Sequence, residues 1–87
     1  MVKVFIPPLL RDVTGDTDEV EVSGASIRQI VAALEARFPG VRERLCVDDG
    51  LRPGLSVAVN GVVSSLGLLQ KVADGSEVHF LPAVGGG

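Results

Sequence analysis

Val2, Val4 and Ile6 alternate with Lys3 and Phe5 at the start of the chain, the period-two pattern of a strand with one face on a core. Pro7-Pro8 stops the run. After a loop over Leu9 to Asp18, where Thr14-Gly15-Asp16 supplies turn chemistry, Glu19-Val20-Glu21-Val22 alternates again with its acids toward water, so the two runs predict a first hairpin. At Ser26 the period lengthens. Ser26-Ile27-Arg28-Gln29 has the form of a capping box, in which the serine oxygen accepts the Gln29 amide and the glutamine side chain reaches back. Ile27, Ile30, Val31, Leu34 and Phe38 then share one helical stripe, with Arg28, Glu35 and Arg37 directed elsewhere, until Pro39-Gly40 ends the helix.

Val41 to Leu45 predicts a further turn of helix, and Asp48 to Gly54 a polar loop with Asp49-Gly50 and Pro53-Gly54 as turn markers. Ser56-Val57-Ala58-Val59 is the next strand. Asn60-Gly61, between Val59 and Val62, signals a two-residue hairpin because both turn positions favour φ > 0. Ser64 to Val72 reads as a crossing segment whose Leu66, Leu68 and Leu69 cover the open end of the sheet, and Asp74-Gly75 turns into the last strand. The order strand, strand, helix, strand, short strand, strand predicts an α+β architecture, one main helix packed on one face of a small mixed sheet. Val2, Val4, Ile6, Val20, Val22, Val57, Val59, Val78 and Phe80 supply the core face by alternation. The opposite face then falls to Phe5, Ala58, His79 and Leu81, whose apolar atoms are expected to meet water beside the chain end and to serve as a partner-docking surface.

Composition narrows the classes. An 87-residue chain that is 46% hydrophobic and 22% charged is one globular domain, with no apolar run near the length of a membrane span. Its first residues enter a strand pattern directly rather than a charged leader with an apolar stretch and cleavage site, so the expected location is cytoplasmic. A single cysteine, Cys46, cannot form an internal disulfide or a metal site by itself, in keeping with a reducing compartment. With no basic cluster and histidine beside it in sequence, it reads as a small buried hydrophobe rather than a nucleophile. A net charge of −3 lacks the basic footprint of nucleic-acid binding. His79, the one histidine, has no hydroxyl or thiol at a pairing distance in sequence and reads as a docking residue. Asp48-Asp49 and Asp16-Thr17-Asp18-Glu19 lack the spacing of a calcium loop; no metal is expected.

The last eleven residues carry the functional signal. Glu77-Val78-His79-Phe80-Leu81-Pro82 is a strand that stops at proline, which divides the chain into a domain over 1–82 and a flexible glycine tail over 83–87. Gly85, Gly86 and Gly87 place no Cβ beside the final peptide bonds, so the tail fits a channel too narrow for side chains. Five extended residues reach roughly 17 Å, enough to carry the Gly87 carboxylate into another protein's active site while the domain stays outside. That carboxylate is ionised at neutral pH and is a weak nucleophile. A glycine-rich end also fits a linker-like terminus.

Taken together, Val2-Lys3-Val4-Phe5-Ile6-Pro7-Pro8-Leu9-Leu10-Arg11, Val59-Asn60-Gly61, Asp74-Gly75-Ser76-Glu77-Val78 and the ending Leu81-Pro82-Ala83-Val84 with Gly86-Gly87 resemble the ubiquitin-like sulfur carriers over nearly the whole chain. That group contains the small subunit of molybdopterin synthase and the thiamine and cysteine-biosynthesis carriers. Gly85 departs from it, since many relatives carry alanine or another residue there, but without an insertion. The resemblance implies a ubiquitin-like β-grasp fold and a chain that is not itself an enzyme, a role that includes the non-catalytic small subunit of a synthase. It implies that Gly87 is adenylated by a ubiquitin-activating-type adenylyltransferase and converted to a thiocarboxylate, with Gly85 and Gly86 threading into the partner. The other implied partners are a sulfur donor (a desulfurase, a rhodanese or sulfide) and a downstream sulfur-accepting synthase, without nucleic acid or membrane. No cofactor would be bound tightly, ATP and Mg²⁺ being used by the activating partner. Two alternatives stay open at this level: a ubiquitin-like modifier conjugated through Gly87, and a noncovalent β-grasp interaction module.

Overall fold

The computed structural model describes residues 1–82. Strand β1 (Val2–Phe5) is followed by a 3₁₀ turn (Pro8–Leu10), the short helix α1 (Arg11–Thr14), and β2 (Glu19–Val22). The main helix α2 (Ile27–Arg37) and the short α3 (Val41–Leu45) come next. Then follow β3 (Cys46–Val47), β4 (Gly50–Leu51), β5 (Leu55–Val59), β6 (Val62–Ser64), a second 3₁₀ turn (Gly67–Leu69) and β7 (Glu77–Pro82). Five strands make one sheet in the order β2-β1-β7-β5-β6, and β3 pairs with β4 as a separate hairpin. The neighbours β1 and β7 run parallel, while β1 with β2, β5 with β7 and β5 with β6 are antiparallel. This is the β-grasp arrangement.

The core lies between α2 and the inner sheet face. Ile27, Ile30, Val31 and Leu34 of α2 are buried against Val2, Val4, Val20, Val22, Val57, Val78 and Phe80, as alternation and helical spacing predict, and Val59 packs against them half-buried. The Ser26 hydroxyl accepts the Gln29 amide at 3.3 Å, but the Gln29 side chain accepts from the Ala25 amide at 2.7 Å, one residue earlier than a capping box requires. The backbone beside Ser26 is tied to the crossing segment by bonds from Ile27 to the Gln70 carbonyl and from Val72 to the Ala25 carbonyl, which brings Ala25 within reach of the glutamine.

Three local expectations need correction. The stretch Leu9 to Asp18 is no simple loop, because its 3₁₀ turn and α1 fold Leu10 fully into the core, where the Thr14 hydroxyl donates to the Leu10 carbonyl at 3.1 Å. The polar loop at Asp48 to Gly54 begins inside the β3–β4 hairpin, with Asp48 at φ 54° in its turn. Of the three leucines in the crossing segment only Leu68 is buried, while Leu66 and Leu69 face solvent. Within one 3₁₀ turn, adjacent residues point about a third of a turn apart, so one leucine faces the core and its neighbours do not.

Candidate functional site

β7 is the middle strand of five, in register with both neighbours as far as His79 and with β5 alone from Phe80 to Pro82. On one flank Lys3, Val4 and Phe5 pair with Glu77, Val78 and His79, and on the other the β5 ladder continues through Ser56 opposite Leu81 and Leu55 opposite Pro82. Asn60 reinforces the start of the strand. Its amide donates to the Glu77 carbonyl at 2.8 Å, and its side-chain oxygen accepts the Glu77 amide at 2.9 Å. The Asn60-Gly61 turn has φ 52° and 84°, the primed geometry that the dipeptide predicts. The described strand ends at Pro82, which marks the exit of β7 from the sheet. Gly85, Gly86 and Gly87, together with the whole 83–87 tail, lie outside the described residues.

Beside this exit the outer sheet face divides by chemistry. A row crosses four strands through Phe5, His79, Ala58 and Val63, each in register with the next. The Phe5 and His79 rings are stacked with centroids 4.2 Å apart and planes 6° from parallel. Leu81 extends the row toward the exit; it, Phe5 and His79 are half-buried. Ala58 departs from the expectation of exposure, being only 4% exposed. Its one methyl sits between the cross-strand side chains of His79 and Val63, which rise higher and cover it, so it forms the floor of the patch. Val63, 60% exposed, belongs to the face although alternation along its short strand did not assign it. The Asn60-Gly61 turn could have done so, because a two-residue hairpin places Val63 opposite Ala58. Away from the exit the same face carries Glu21, Lys3 and Glu77 in register, and Glu19, opposite Phe5 at the β2 edge, ends the apolar row 4.0 Å from the Lys3 ammonium.

The remaining polar candidates stand apart. His79 is engaged with Phe5 rather than with a hydroxyl or thiol. Cys46 is half-buried; burial pushes its thiol pKa up, against the weaker downward pull of the Arg42 and Arg28 charges, so the reactive thiolate is disfavoured at neutral pH. Asp18 pairs with Arg11 at 2.9 Å. Among the described residues no group of three or more histidine, cysteine or acidic side chains is placed to hold a metal ion, and no helix is long and apolar enough to cross a membrane.

Comparison with known proteins agrees with this geometry. The model of the ThiS family matches residues 4–87, a span that includes the tail. The sulfur carrier protein CysO of Mycobacterium tuberculosis is 40% identical over 93 residues, covering 99% of this chain and 98% of that protein. The small archaeal modifier protein 3 of Haloferax volcanii is 34% identical over 65 residues, covering 72% of this chain and 71% of that protein. Among solved structures, the BexX/CysO complex of Amycolatopsis orientalis contains a chain that superposes with a TM-score of 0.89 at 38% identity, each chain fully covering the other.

Proposed function

The chain belongs to the ThiS family, and from that premise we propose that it is a sulfur carrier whose working group is the carboxylate of Gly87. The observation that carries the reading is the central strand β7, which runs in register with β5 to Pro82, immediately before the glycine ending of the sequence, and whose outer face is part of an apolar surface. A carrier needs a rigid body, a docking face and a narrow reactive arm, and this arrangement provides the first two around the base of the third. The relatives' names support the role: CysO is named as a sulfur carrier, and in Amycolatopsis orientalis it is found in complex with BexX.

The chemistry belongs to the partners. The Gly87 carboxylate oxygen attacks the α-phosphate of ATP, releasing pyrophosphate and leaving a glycyl-adenylate. Hydrosulfide then attacks the activated carbonyl and expels AMP, leaving the thiocarboxylate; where the donor is a persulfide, the same attack gives an acyl disulfide, which a thiol cleaves to the thiocarboxylate and a donor disulfide. A carboxylate is a poor electrophile, so the mixed anhydride splits one difficult displacement into two accessible steps. Mg²⁺ in the adenylyltransferase neutralises phosphate charge during the first. This chain contributes no catalytic side chain. Phe5, His79 and Leu81, over the Ala58 floor, dock the activating enzyme, and Gly85 and Gly86 thread its channel.

Intact mass measured after incubation with ATP, Mg²⁺, sulfide and the organism's own adenylating enzymes tests the reading. The mass should rise by the difference between one sulfur and one oxygen, and a variant lacking Gly87 should not change. If every such enzyme leaves the full-length chain unaltered, the carrier reading fails and a noncovalent module takes its place. The likeness to the archaeal modifier favours a second reading, in which the same activated glycine is joined to a lysine of another protein. Isopeptide-linked peptides ending in Gly87 on other proteins would support it.

A further inference from the structure

The two edges of the sheet are built differently. At one edge β2 carries Glu19 and Glu21, and the Arg37 guanidinium donates to the Glu21 carbonyl at 3.2 Å, so charge and an occupied backbone acceptor discourage another strand. At the other edge β6 carries none of these devices. From Pro53 to Gln70 the chain runs 18 residues without a charge, where a chain that is 22% charged would average about four. This run contains β5, β6 and the following turn. Val62, Val63, Leu66 and Leu69 along it are 70%, 60%, 56% and 68% exposed. The Ser64 hydroxyl donates to the Gln70 side chain at 2.6 Å and accepts the Leu66 amide at 3.0 Å, which ties the turn to the end of the strand.

Hairpin geometry fixes which backbone groups are open. Val59 and Val62 flank a two-residue turn and exchange both of their hydrogen bonds, so at the next pair, Ala58 and Val63, the Val63 N–H and carbonyl point away from β5. Among the described residues neither group has a partner outside the sheet ladder.

We infer that β6 pairs with β6 of a second copy, antiparallel about a two-fold axis at Val63, to make a weak homodimer with one continuous ten-stranded sheet. Two features favour a second copy over an unrelated strand. The surface is self-complementary, since an uncharged flank meets its own image without like-charge repulsion, as an isologous contact requires. The Val63 donor and acceptor also satisfy their own counterparts reciprocally when the axis passes between them. The axis stands perpendicular to the sheet, so both outer faces look the same way, and the Phe5–His79–Ala58–Val63 rows of the two copies join. The available area sets the strength. Four aliphatic side chains on each copy offer on the order of 600 Å² in total, about half of what a stable interface buries, so the association is weak and belongs to high protein concentration. The pairing leaves the tail unused and stands independently of the sulfur-carrier reading.

Sedimentation velocity on the full chain, without ATP, from about 20 μM to about 2 mM tests this. The weight-average mass is expected to rise from 9.0 kDa toward twice that value. Val63→Lys sets two ammonium groups face to face at the axis and should weaken association at least about tenfold. Circular dichroism checks that this variant keeps its fold. Glu21→Gln at the opposite edge should leave association unchanged. A wild-type chain that stays at the monomer mass throughout, or a folded Val63→Lys that associates as the wild type does, overturns the proposal.

Discussion

The stack of Phe5 on His79 joins two central strands at the surface assigned to docking, and its energy can be isolated by a double-mutant cycle of Phe5→Ala and His79→Ala. The rings lie nearly parallel at 4.2 Å between centroids and belong to residues directly paired across β1 and β7. A fully buried phenylalanine costs about 3–5 kcal/mol when truncated to alanine. Phe5 is half-buried, so Phe5→Ala is expected to cost about 2 kcal/mol, a drop of roughly 8–16 °C in Tm for a domain of this size. His79→Ala should cost about 1 kcal/mol, part of it the same lost contact. The double variant should therefore be less destabilised than the sum of the singles by about 0.5–1.5 kcal/mol, the usual worth of an aromatic pair beyond its area. Urea unfolding followed by circular dichroism reads all four corners of the cycle, and unchanged slopes license the comparison. Additivity within about 0.3 kcal/mol would refute the reasoning, because two rings that add independently share no energy. The same variants then serve the docking reading: at temperatures where both remain folded, each should slow adenylation of the tail by partner enzymes.

Further predictions bear on the scaffold. Leu10→Ala opens a cavity beside α1 and should cost about 2–5 kcal/mol in urea unfolding, as for a central core leucine; a loss below about 1 kcal/mol would mean that the 3₁₀ turn and α1 do not hold Leu10 in the core. Glu35 accepts the Arg42 amide at 2.8 Å and the Gly40 amide at 3.2 Å, and these donors, that of Arg42 foremost, hold its pKa below the ordinary 4.5. The charged form is thus favoured by folding, and its contribution is present above the ordinary glutamate value and lost as pH falls through the depressed folded value. The Tm difference between wild type and Glu35→Gln should be constant from neutral pH down to about pH 5 and should shrink below the ordinary carboxylate range; a difference that grows on acidification would reverse the assigned sign. Deleting Gly86-Gly87 should abolish any mass change on activation while leaving the unfolding free energy from urea titration within about 0.5 kcal/mol of the wild type.

The sequence by itself determined most of what is local. Alternation assigned the inner residues of β1, β2, β5 and β7; the change of period and the Ser26 cap placed α2; and Asn60-Gly61 set the hairpin, because each depends on neighbours a few positions apart in the chain. The glycine ending pointed to the chemistry for the same reason: conformational freedom at Gly85 to Gly87 is a property of those residues alone. What only the tertiary structure decided depends on which segments come to lie side by side. Alternation sends Ala58 to the outer face, but its burial comes from the taller His79 and Val63 on the adjacent strands. Leu10 sits in a stretch rich in turn residues and is buried because its two short helical turns fold back onto the core. The place of β7 between a parallel and an antiparallel neighbour arises from pairings with residues 74 and 19 to 27 positions away. Strand periodicity specifies a face and carries no information about the neighbour, so the partner across the sheet, the floor of the docking patch and the unguarded edge at β6 emerge only when the chain is folded.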